Sequence, residues 1–156
     1  MQGGPGGPST FGASDEIGNW YVNAKHEIKE RAYSWCRENS CLFVDSPTMT
    51  GFTYQTDLNY TFQGTDKVEY ATNSADIAGQ LVEVFKQFLY VWPEHSHSPF
   101  HVTGESYGGN YCPNYAKKIA DERNKPKPVD AWGNVVVMPQ LKGGGKVKSL
   151  VSLNSY

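Results

Sequence analysis

Gly104-Glu105-Ser106-Tyr107-Gly108 stands where an apolar run, Phe100-His101-Val102-Thr103, meets a helix-forming stretch at residues 111–123. A Gly-x-Ser-x-Gly pattern between strand and helix has the form of a nucleophile elbow. The two glycines let the backbone turn sharply enough to push the serine hydroxyl outward, and they leave no side chain in the path of an approaching acyl group. Ser106 is therefore the candidate nucleophile, and the backbone N–H of Tyr107, the next residue, is a candidate donor to a developing oxyanion.

A second glycine cluster, Gln2-Gly3-Gly4-Pro5-Gly6-Gly7, lies about a hundred residues upstream. In α/β-hydrolases a glycine-rich loop after an early strand gives the second oxyanion donor, and the order found here, loop before elbow, is the required one. Such donors must come within ~2.7 to 3.1 Å of the oxyanion, which leaves bare backbone as the material of choice. Gly4 is the residue expected to supply that N–H.

Further motifs follow in order. Asp15-Glu16-Ile17-Gly18, Tyr33-Ser34-Trp35, Leu42-Phe43-Val44-Asp45-Ser46-Pro47 with Gly51-Phe52-Thr53-Tyr54, and Val102-Thr103-Gly104-Glu105-Ser106-Tyr107-Gly108-Gly109 with Tyr111 and Pro113 are all present. Together with the opening glycine loop, they make the chain resemble the serine carboxypeptidase family along its whole length. Glutamate before the serine is distinctive, and glutamine before the first glycine pair is similar to the vitellogenic-like branch.

The resemblance implies a covalent serine ester as intermediate, with the Gly4 and Tyr107 N–H groups holding the oxyanion. It implies substrates that are peptides or proteins with a free C-terminus. It also implies a receptor for the terminal carboxylate built from Gln2, Glu16 and Glu105, with the N–H of Gly3 assisting. Carboxyl groups crowded together cannot all ionise, so one stays protonated and donates a hydrogen bond. An acidic optimum is the expected result, with the lysosome, the vacuole or the extracellular space at the end of a secretory route as the setting.

The chain also departs from the family. Gly7-Pro8-Ser9-Thr10 replaces the usual Ser-Ser, Asn19 stands where a proline follows the Glu-x-Gly, and Pro47-Thr48-Met49-Thr50-Gly51 lacks a glycine of Pro-Val-Gly-x-Gly. All four histidines, His26, His95, His97 and His101, precede Ser106, whereas the triad order puts the acid and then the histidine after the serine. Asp121 and Asp130 follow it but fall in or just beyond the elbow helix, too early for the acid-bearing strand end. Residues 1–156 are accordingly expected to form one partial domain, the nucleophile-bearing segment, with negligible peptidase activity by itself. A serine acyltransferase or esterase, or a noncatalytic remnant, are the alternative readings.

A net charge of −2, from 14 basic and 16 acidic residues, gives no basic stripe, so nucleic acid is not an expected partner. No apolar run approaches the ~18 residues of a membrane span. The three cysteines, Cys36, Cys41 and Cys112, include no Cys-x-x-Cys and have no zinc spacing with the histidines, so no metal or other cofactor is expected. Their odd number leaves a free thiol or a partner elsewhere. Asn59-Tyr60-Thr61 is an N-glycosylation sequon. The oligomeric state is not encoded in any motif.

Alternating strand and helix signals predict an α/β fold, a fragment of an α/β-hydrolase with a mainly parallel sheet and helices on both faces. A buried strand is expected at 41–45. A helix capped by Asn73 is expected to run through residue 92 and end at Pro93, with Ile77, Leu81, Val84, Phe85, Phe88 and Leu89 on its apolar face. Loop is expected at 95–97, an irregular excursion around a short strand at 135–137, and a final core strand at 149–153. Trp20, Tyr21, Tyr33 and Trp35 are expected in walls and core.

Overall fold

The computed structural model of the chain describes residues 1–54, 71–123 and 147–153. In chain order these form a short helical turn α1 (Ser9–Phe11) continued by a π-helical turn (Gly12–Glu16), then β1 (Trp20–Val22), β2 (Ile28–Glu30), α2 (Ser74–Val91), a 3-10 turn (Pro93–His97), β3 (Phe100–Glu105), α3 (Gly108–Arg123) and β4 (Val147–Leu153). The sequon and the stretch from 124 to 146, with its predicted strand at 135–137, lie outside the described residues.

The start of α2 follows from its cap. Asn73 Oδ1 accepts from the backbone N–H groups of Ala75 and Asp76 at 2.9 and 3.0 Å, and Asp76 reaches back to accept from Thr72 N at 3.1 Å. These contacts satisfy amides that the first turn leaves without helical partners. Ile77, Leu81, Phe85 and Leu89 recur at every fourth residue and are buried, together with Ala78 and Val82. Val84, expected on this face, is exposed, because the i, i+4 row turns the buried stripe toward Ala78 and Val82 instead. Pro93 lacks an amide to continue the helix. Residues 93–97 then wind as a 3-10 turn, a correction to the expected loop, with Ser98 N donating to His95 O at 3.1 Å.

The core forms where α2, α3 and β3 meet. Side chains alternate along β3, so Phe100, Val102 and Gly104 face the core while Thr103 and Glu105 face the other way. The Phe100 ring stacks on Phe85 with centroids 4.4 Å apart and meets Tyr115 edge-on at 6.2 Å. Leu89, Val82, Tyr111, Cys112 and Ile119 are almost wholly buried. Lys86 of α2 reaches Glu122 of α3 at 2.9 Å and ties the two helices at the surface.

The predicted final strand is found as β4, parallel to β3, with Val102 opposite Leu150 and Glu105 opposite Leu153. On the other edge of β3, Met1 makes a single parallel bridge, its N donating to Thr103 O at 2.9 Å and its O accepting from Glu105 N at 3.1 Å. β1 and β2 form a separate antiparallel hairpin. Residues 41–45 do not form the expected strand. A cavity of about 1030 Å³ is lined by residues 38–44 together with β3 and α2, so the segment has no ladder neighbour among the described residues, and Leu42 is exposed. Trp20, Tyr21, Tyr33 and Trp35 are likewise exposed rather than core, since the hairpin and the turn after it have no described layer above them. Trp35 still serves as a wall of two cavities.

Candidate active site

β3 ends at Glu105 and α3 begins at Gly108, so the chain reverses within two residues. Ser106 takes the strain of that reversal with φ at +53°, in the left-handed region that non-glycine residues seldom occupy. The turn is closed by Gly109 N donating to Ser106 O and Asn110 N to Tyr107 O, both at 2.9 Å. It also needs small neighbours. A Cβ on Gly104 would lie 2.6 Å from Cys112 Sγ, and one on Gly108 would lie 3.1 Å from Met1 O.

The glycine loop packs directly on this elbow. A Cβ on Gly3 would stand 2.6 Å from both Ser106 Cβ and Tyr107 N, so the two segments meet backbone to backbone. Gly7 N donates to Gly3 O at 2.8 Å, and Gly4 and Gly6 take φ values of +116° and +94°. Loop and elbow, a hundred residues apart in sequence, thus meet at Gly3, with Gly4 the next residue of the loop and Tyr107 the residue after Ser106.

Gln2, Glu16 and Glu105, the residue before the serine, line one cavity of about 220 Å³, with Trp35, Phe43 and Ile17 among its walls. Gln2 Nε2 donates to Glu16 Oε2 at 2.9 Å, and Gln2 Oε1 accepts from Gly3 N at 3.1 Å. The Gly3 amide, expected to help hold a carboxylate, is therefore occupied by the neighbouring glutamine. Burial pushes the Glu16 carboxyl above the ordinary glutamate range, and the facing Glu105 carboxyl adds to the rise, against the lowering effect of the Gln2 amide. A raised pKa widens the pH range over which this carboxyl carries a proton.

Several residues support the site without having been assigned a role from sequence. The departure Ser9 is buried, and its Oγ accepts from Gln2 N at 3.0 Å, so it anchors the residue that opens the loop. Asp45 accepts from Thr10 N at 2.9 Å through Oδ1 and from Phe52 N at 3.0 Å through Oδ2, locking α1 to the turn at 47–53. An aspartate closing an apolar run, six residues before a glycine, was the available signal. Arg31 holds the carbonyls of Ser14 and Gly18 at 2.9 and 3.1 Å, on either side of Glu16. Ser34 donates to Ile17 O at 2.8 Å, and the disulfide Cys36–Cys41 closes the loop behind it. Cys112 is the free thiol, buried under Gly104. Among the described residues no group of three or more His, Cys, Asp or Glu side chains could hold a metal ion, and no helix is long and apolar enough to cross a membrane.

Comparison with known proteins places this geometry. The family model described as serine carboxypeptidase matches residues 1–145. The chain is 33% identical to vitellogenic carboxypeptidase of Aedes aegypti over 128 residues, 81% of this chain and 25% of that protein. It is 35% identical to venom serine carboxypeptidase of Apis mellifera over 127 residues, again 81% of this chain and 25% of that protein. The chain thus spans about a quarter of the length of the curated relatives it matches. Among solved structures, a prohormone-processing carboxypeptidase from Saccharomyces cerevisiae, Kex1(Δ)p, superposes with a TM-score of 0.77 at 26% identity, over 99% of this chain and 29% of that one.

Proposed function

Since the chain belongs to the serine carboxypeptidase family, we propose that it is the nucleophile-bearing segment of an enzyme that releases C-terminal residues from peptides through an acyl-enzyme. The observation that carries this reading is that Gln2, Glu16 and Glu105, the last of them adjacent to Ser106 in the chain, line one cavity. A general esterase has no need of two carboxyl groups at its acyl site, whereas an exopeptidase must recognise one free carboxylate.

Ser106 Oγ attacks the carbonyl of the last peptide bond, and the Gly4 and Tyr107 N–H groups stabilise the resulting oxyanion. Protonated Glu16, with Glu105 and the Gln2 amide, binds the terminal carboxylate and fixes which bond reaches the serine. Gly3 N–H joins them once the substrate displaces Gln2 Oε1. The histidine that accepts the serine proton, and its acid partner, belong to the length of the relatives that this chain does not span. The parallel pair β3–β4 is on this reading part of a larger α/β-hydrolase sheet with helices on both faces. The acid-tuned Glu16 and the Cys36–Cys41 disulfide favour an oxidising, acidic compartment of the secretory route, lysosomal, vacuolar or extracellular.

The test is release of the C-terminal residue from an N-blocked dipeptide by the full-length protein at acidic pH. Turnover is expected for the free acid, with a loss of roughly 10⁴-fold or more in Ser106→Ala. Turnover that survives Ser106→Ala, or transfer of the acyl group to an alcohol with no hydrolysis, would reject the proposal.

A further inference from the structure

Tyr111 is fully buried, yet among the described residues its hydroxyl makes no hydrogen bond. A buried hydroxyl without a partner costs free energy that phenylalanine at the same position would avoid. Its surroundings indicate a use. The Tyr111 ring meets the Tyr107 ring edge-on, with centroids 5.2 Å apart, so the side chain bears on the residue whose amide is the proposed oxyanion donor. At the other end, the backbone amide of Gly6 is the group that faces the hydroxyl, without reaching ordinary hydrogen-bond geometry. Gly6 lies in the same turn as Gly4, a turn closed by Gly7 N to Gly3 O, and has φ at +94°. Tyr111 thus spans the elbow and the glycine loop, the two backbone segments that supply the two oxyanion donors.

We propose that Tyr111 is a positioning residue that sets the separation of the Gly4 and Tyr107 donors, its hydroxyl accepting from Gly6 N–H when the loop draws in on the tetrahedral adduct. Among the described residues the hydroxyl has no hydrogen bond in the resting structure, which leaves it free to take this one. This inference rests on the assignment of Ser106 as acyl-transfer nucleophile.

Tyr111→Phe in the full-length protein keeps the ring and removes only the hydroxyl. With a blocked dipeptide as substrate, kcat is expected to fall about tenfold with KM unchanged, the scale of one hydrogen bond made only in the transition state. Affinity for a blocked amino aldehyde, which forms a tetrahedral adduct on serine, should fall by the same factor. The Tm should stay level or rise, because an unsatisfied buried group has been removed. A hydroxyl with a merely structural role would lower Tm and leave kcat and aldehyde affinity alone, and that result would overturn the proposal, as would no change in any of the three. Tyr115→Phe, a buried tyrosine packed on Phe100 and away from the loop, is the control expected to leave kcat as it is. Ser106→Ala separates the two failures. If that variant retains activity, the nucleophile assignment falls; if it is inactive and Tyr111→Phe is unaffected, only the inference about Tyr111 falls.

Discussion

Met49 holds φ at +74° in the position where the family's Pro-Val-Gly-x-Gly pattern carries its first glycine, and Gly51, which the chain keeps, has φ at +57°. The turn thus places a non-glycine residue in left-handed backbone. Left-handed backbone costs an L-residue roughly 1–2 kcal/mol, and glycine there gives back part of that gain in unfolded-state entropy. Met49→Gly is therefore expected to stabilise the protein by up to about 1 kcal/mol, read as a rise in Tm. Glu16 gives a prediction of the opposite kind, in pH. Its pKa is raised by burial and by Glu105, so the folded protein keeps a proton that the unfolded chain releases. Its contribution to stability is fully present below the ordinary glutamate range and is lost as pH rises through the raised value. Substrate affinity should follow the same direction, with KM rising by about tenfold per pH unit once Glu16 ionises. Glu16→Gln, which can donate at every pH, should flatten that rise in a KM-against-pH profile. That Gln2, Glu16 and Glu105 share one cavity follows the grouping that motif position suggested. The occupation of Gly3 N–H by Gln2 was not legible, because it depends on a side-chain rotamer rather than on residue type.

Among the elements, α2 was the easiest to read, since period-four apolar residues, an Asn cap and a terminating proline all agree. Asn73→Ala removes the acceptor for two first-turn amides and should cost about 1 kcal/mol, measurable as a lower midpoint in chemical denaturation with an unchanged slope. The elbow was equally clear because three local signals, apolar strand, glycine pair and helix, stand in sequence. The segment at 41–45 was misread for a physical reason. A strand is made by its neighbour, and an apolar run records only that a segment avoids water. Here Val44 packs against the core and Asp45 is buried by its two amide contacts, so the run is accounted for by a clamp rather than by a ladder. The aromatics of the hairpin were misassigned in the same way, because hydrophobicity does not state whether the covering layer lies within the same stretch of chain.

For the whole molecule, the architecture rests on contacts between segments far apart in sequence: Gly3 on Ser106, Gln2 on Glu16, and β4 beside β3. The first two were legible only through the family resemblance, since no periodicity specifies that residue 3 touches residue 106, and the pairing of β4 with β3 was not read from the sequence. The resemblance also explains why a glycine loop, a lone glutamate and an elbow form a single site. The account stands on Ser106 being an exposed, activated nucleophile in the complete protein. The measurement that reaches this most directly is reaction of the full-length protein with a fluorophosphonate, followed by peptide mapping of the adduct. One phosphonylated serine, at Ser106, with loss of peptidase activity in proportion to labelling, is the predicted result. An active protein that takes up no label at Ser106, or takes it up at another residue, would contradict it.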